Sequence, residues 1–103
     1  MSIEKVIRNG QVGVLVSPDY GAGFLTWGAP LEAIFNPTLI ELVESKKLDE
    51  AIEFVETTWP GLYTGGVSSL RVVWLDEGTQ FRIDEYDGAE WIEILNEVNW
   101  ITA

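Results

Sequence analysis

Two short stretches carry the residue types best suited to holding a ligand: Ser17-Pro18-Asp19-Tyr20-Gly21-Ala22-Gly23-Phe24-Leu25-Thr26-Trp27, and Tyr63-Thr64-Gly65-Gly66. In the first, Gly21 and Gly23 sit between the rings of Tyr20 and Trp27, and Thr26 adds a hydroxyl. Glycines let backbone N–H groups approach an anion, and flat rings beside them offer faces to a planar group. In the second, Tyr63, Gly65 and Gly66 repeat the combination. Arg71 and Arg82 are the expected phosphate partners, because a guanidinium presents a fork of donors. Together these residues predict a site for a small planar ligand such as a nucleotide. The plainer reading is that the glycines only make tight turns and the aromatic rings fill the core.

Catalytic chemistry has little to draw on. The chain has no histidine and no cysteine, which removes Ser-His and Cys-His pairs, the usual zinc ligands and the commonest general base. The 17 carboxylates could pair for hydrolysis, but none stands apart from the rest. Gly21-Ala22-Gly23 begins like a dinucleotide-binding fingerprint, yet Thr26 stands where the third glycine belongs and no helix follows. Asp84-Glu85-Tyr86-Asp87-Gly88 lacks the alternating oxygen ligands and the closing glutamate of a calcium loop. The expectation is a non-enzymatic binding protein with no catalytic residue, no metal and no cofactor.

Charge narrows the partners. Seventeen acidic residues against six basic ones give a formal charge of −11, which repels nucleic acid and anionic membranes. Eight carboxylates crowd the stretch from Asp76 to Glu97, offset only by Arg82. Within it Asp84, Glu85, Asp87, Glu90 and Glu93 form an alternative candidate site, a face that imitates DNA phosphates towards a basic protein. The same face also reads as a solvated sheet surface whose charge prevents edge-to-edge aggregation.

The positioning elements follow from pattern. With 103 residues and 47% apolar content, the chain is expected to fold as a single domain, residues 1–103. Asn9-Gly10 marks a hairpin between Val6–Arg8 and Val12–Val16. Phe24 to Trp27 reads as a short strand. Asn36-Pro37 starts a helix carrying Leu39, Ile40 and Val43 on one face, closed by Lys46 and Lys47. Asp49 caps a second helix with Leu48, Ile52, Val55 and Trp59 in register, ended by Pro60-Gly61. Leu70 to Leu75, Phe81 to Ile83 and Trp91 to Leu95 read as strands, with turns at Asp76–Thr79 and Asp87-Gly88, and Val98 to Thr102 adds a last strand burying Trp100. The predicted class is α+β: a mainly antiparallel sheet of five to six strands, an N-terminal hairpin and C-terminal meander, with a helical pair on one face. No apolar run is long enough to span a membrane, and Met1-Ser2-Ile3-Glu4-Lys5 does not read as a signal peptide, so a cytoplasmic setting is expected.

Nearly the whole chain resembles small, uncharacterised bacteriophage-encoded proteins. The resemblance rests on Ser17-Pro18-x-Tyr20-Gly21-Ala22-Gly23-x-x-Thr26-Trp27, Leu39-Ile40-Glu41-Leu42-Val43-Glu44, Tyr63-x-Gly65-Gly66 and Glu77-Gly78-Thr79-x-Phe81-x-Ile83-x-Glu85-Tyr86-Asp87-Gly88-x-Glu90. This chain departs by carrying Asp19 and Phe24, where such proteins more often have Gly and Trp. The resemblance implies a setting rather than a reaction: an accessory protein in the cytoplasm of an infected host, acting against host defence. It would do so by sequestering a nucleotide signal, or as an acidic inhibitor clamping a basic, nucleic-acid-binding host protein. Either role is compatible with a homo-oligomer.

Overall fold

Asn9 and Gly10, both at positive φ (52° and 77°), turn the chain back so that β1 (Ile7–Arg8) pairs with β2 (Gln11–Val16). Asn-Gly tolerates this conformation at both central positions, which is why the dipeptide marks such hairpins. The computed structural model describes residues 3–95, so the strand expected over Val98 to Thr102 and the burial of Trp100 lie outside the described residues.

The other edge of β2 is taken by β3 (Arg71–Asp76), antiparallel, in a register running from Gln11↔Asp76 to Val16↔Arg71. As the middle strand, β2 is buried from Val12 to Val16 on both faces. At Gly13 a Cβ would lie 3.1 Å from Cζ3 of Trp74, its cross-strand partner, so the missing side chain makes room for the indole. Leu15, Val14, Ile34, Leu39, Ile40 and Val55 fill the centre of the core.

The expected meander is instead two sheets. Among the described residues β4 (Phe81–Tyr86) pairs with β5 (Ala89–Ile94) alone, and the three-stranded sheet has β3 at its edge. The reason lies at the end of β3. The Glu77 N–H donates to the Gly10 carbonyl at 2.8 Å and the Thr79 N–H to the Asp76 carbonyl at 3.0 Å. The chain therefore leaves β3 beside the first hairpin turn rather than doubling back along the strand. With helices and two antiparallel sheets, the protein is an α+β fold.

α1 (Pro37–Glu44) begins as its sequence requires: Pro37 stands in the first turn and the Asn36 side chain accepts from the Leu39 N–H at 3.0 Å. Lys46, at φ 58°, reverses the chain into α2 (Leu48–Thr58). Asp49 lies in the first turn of α2 rather than capping it, where its charge suits the helix dipole. The buried face of α2 is Ala51 and Val55, with Ile52 and Trp59 half-buried and Leu48 exposed. α1 packs on β2 and β3, and α2 on α1 and on a 3-10 turn at Val67–Ser69. Among the described residues, no helix is long and apolar enough to cross a membrane.

Candidate functional site

The β4–β5 hairpin and the two glycine-rich loops meet at one junction, and Glu90 holds it. Along β4 and β5, Phe81, Ile83 and Glu85 pair with Ile94, Ile92 and Glu90, so these six share one face of the hairpin. That face turns towards the body of the protein. Glu90 is consequently buried, and its carboxylate lies inside the first glycine loop. Its Oε1 accepts from the Ser17 N–H at 3.0 Å. Its Oε2 accepts from the Phe24 and Thr26 N–H groups, both at 2.9 Å, and from the Thr26 hydroxyl at 2.7 Å. The Glu90 N–H donates in turn to the Ser17 carbonyl at 2.8 Å.

Residues 17–27 thus form an anion-holding loop whose anion is the protein's own carboxylate. Four charge-assisted donors are committed to it, the Thr26 hydroxyl included. This also explains the one element that differs here from the sequence expectation: Leu25–Trp27 is a 3-10 turn rather than a strand. The N–H groups of Phe24 and Thr26 point inward to Glu90 instead of sideways to a neighbouring strand.

The second loop closes on the first. The Ser17 hydroxyl donates to the Gly66 carbonyl at 3.2 Å, the Tyr63 hydroxyl to the Gly21 carbonyl at 3.0 Å, and the Ser69 hydroxyl to Asp19 at 2.8 Å. Gly66 lies so close to the first loop that a Cβ there would come within 2.8 Å of the Gly23 carbonyl oxygen. The hairpin turn seals the third side. Gly88, at φ 87°, packs so that a Cβ would lie 2.8 Å from the Ala22 nitrogen and from Trp27, and the Gly21 N–H donates to the Asp87 carbonyl at 2.6 Å. The glycines here serve backbone-to-backbone contact within the chain.

The aromatic residues behave differently. Tyr20 and Tyr86 are 73% and 70% exposed and stand edge to face with ring centroids 6.4 Å apart. Trp27 and Tyr63, both exposed, lie 5.4 Å apart at 49°. Both pairs border the Gly21–Asp87 seam, so four rings rim the junction on its solvent side.

The remaining expected residues are scattered. Gly65 packs against the Tyr63 ring. Arg71 is exposed on β3 and lines a groove with Val43, Leu48 and Trp74, and makes none of the junction's contacts. Arg82 is held by Glu93 at 2.7 Å and lies 3.8 Å from Asp84; the Glu93 hydrogen bond and charge raise its guanidinium above the ordinary value. The structure thus brings neither arginine to the glycine loops. Of the five carboxylates in the alternative site, Asp84 and Glu93 lie on the outer face of the hairpin and Asp87 on its turn. Glu85 and Glu90 lie on the inner face, with Glu85 accepting from the Gly88 N–H at 2.8 Å. Glu90, buried and committed to the loop, is not available as a contact on that face.

The alternation of Phe81 and Ile83 with Arg82 and Asp84, carried two residues further, would have placed Glu85 inward, and the Asp87-Gly88 turn then pairs it with Glu90. Tyr86 was missed as a rim residue because nothing local brings it to Tyr20. Among the described residues no group of three acidic side chains is placed to hold a metal ion. Comparison with protein families, curated proteins and solved structures finds no match to this chain, so its site is read from its own geometry.

Proposed function

We propose that this protein is a non-enzymatic binding protein that docks on a basic protein surface through the aromatic rim of the loop junction. The observation that carries this reading is one of composition in space. The three segments that build the junction, residues 17–27, 63–69 and 84–90, hold five carboxylates and no lysine or arginine, and they present four exposed aromatic rings. A guanidinium is the group that fits both features, since it stacks on aromatic faces and pairs with carboxylates. Tyrosine and tryptophan are also the residues that most often anchor protein interfaces. A phosphate-bearing ligand is served less well, because the loop donors it would use are bound to Glu90. In the setting that the phage-protein resemblance implies, the partner is a basic host protein and the role counter-defence.

The test is titration of the protein with an arginine-rich peptide, a lysine-rich peptide of equal charge, and a set of nucleotides. The arginine peptide should bind more tightly than the lysine peptide and weaken as salt is raised. Tyr20→Ala with Tyr86→Ala should lower its affinity about tenfold. Equal binding of both peptides, or an unchanged double variant, would remove the rim as the contact surface. Nucleotide binding without peptide binding would replace this reading with ligand sequestration.

A further inference from the structure

A second site lies between β4 and the 3-10 turn at Leu31–Phe35. A groove of about 780 Å³ runs there, walled among the described residues by Leu31, Ile34, Phe35, Phe81 and Ile83, with Ile3 and Leu25 at its margins. That volume is within the range of about 300–1,000 Å³ typical of small-molecule sites. Its charge runs against that of the protein. Among the described residues the charged ones lining it are Lys5 and Arg82, two of the six cations in the chain, with no carboxylate beside them in the lining. Lys5 stands 5.0 Å above the ring of Phe35, which packs edge to face on Phe81, and it makes no ion pair among the described residues. Arg82 is already engaged by Glu93 at 2.7 Å, with Asp84 3.8 Å away, so Lys5 is the cation of the groove left to meet an anion.

We propose that this groove binds a small amphipathic anion, a single-chain carboxylate whose tail lies along Phe35, Phe81 and Ile83 and whose head group meets Lys5. An apolar wall alone would take any hydrophobe; Lys5, with no carboxylate partner among the described residues, selects for a negative head. The occupant is a free molecule rather than a lipid in a membrane, because a protein of charge −11 is repelled by an anionic bilayer.

The two scales of charge make the proposal sharply testable. The field of the whole protein favours a cationic amphiphile, whereas the groove favours an anionic one. Calorimetric titration of the full chain with dodecanoate and with dodecyltrimethylammonium, both as monomers in solution, separates them. Dodecanoate should bind with one-to-one stoichiometry and at least about tenfold more tightly. Lys5→Glu should weaken dodecanoate about fivefold or more and narrow the difference between the two probes. Leu31→Trp, a change at an exposed position, should fill the groove and abolish binding while leaving the thermal unfolding transition in place. Absence of dodecanoate binding overturns the proposal. So does tighter binding of the cationic probe, or a Lys5→Glu variant that binds dodecanoate unchanged.

Discussion

Glu90 and Thr26, 64 positions apart in the chain, are joined twice: the Glu90 carboxylate accepts from both the backbone N–H and the hydroxyl of Thr26, at 2.9 and 2.7 Å. Through this pair, and through the N–H groups of Ser17 and Phe24, the β4–β5 hairpin is fastened to the loop that leaves β2. Burying a carboxylate costs its hydration unless hydrogen bonds replace it, and here four donors converge on the group. The loop, in turn, has its otherwise unpaired N–H groups satisfied. Each side solves the other's desolvation problem.

Removing that charge should therefore be costly. Glu90→Gln keeps the shape but places an amide N–H₂ group where an acceptor is needed. It is expected to destabilise the protein by about 3–5 kcal/mol in urea unfolding, while Thr26→Val, which deletes only the hydroxyl donor, should cost about 1.5–3 kcal/mol. The double variant should lose less than the sum, since both changes act on one network. Additive losses would show that the two residues do not share it.

Two glycines should fail for different reasons. Gly66 has an ordinary φ of −90°, so Gly66→Ala is opposed only by collision with the first loop. It should cost about 3 kcal/mol and shift the fluorescence of Trp27 as the loops separate. Gly10 has open space around it but φ 77°, so Gly10→Ala pays only in backbone conformation, about 1 kcal/mol, with no change at Trp27. Equal losses, or a fluorescence shift in both, would contradict the packing at the junction.

The rim tyrosines should matter to binding and not to folding. Tyr20 and Tyr86 are mostly in solvent, so each change to alanine should alter stability by no more than about 0.5 kcal/mol. Thermal melts of the single variants check this, and a large loss would reassign the pair from contact surface to structure.

Arg8 reaches from β1 to Glu44 at the end of α1 through two hydrogen bonds of 2.9 Å, while its guanidinium lies 4.9 Å from the Trp74 ring. Both partners are substantially exposed. Glu44→Gln should thus cost no more than about 1 kcal/mol, and the difference should vanish at high salt. A loss that persists in high salt would point to packing of the arginine stem rather than to the ion pair.

Local signals in the chain were sufficient for its two helices and its hairpin turns, though not for the 3-10 turns at Leu25–Trp27 and Leu31–Phe35. Asn9-Gly10 and Asp87-Gly88 specify hairpin turns because few other residues enter positive φ without strain, and Asn36-Pro37 specifies a helix start through a side-chain cap. The composition alone also set the acid surplus and the absence of histidine and cysteine. What the tertiary structure decided was where the ends of these elements meet. With one edge of β3 taken by β2, the other could have received β4, but β4 pairs with β5 and turns its inner face to the body of the protein instead. The glycine loop looked like a receptor for an external anion because its donors are local. Its acceptor, Glu90, comes from a strand more than 60 residues away, and burial of a charge depends on such a distant partner. A run of sequence declares which groups need partners; only the packed chain determines whether those partners come from within.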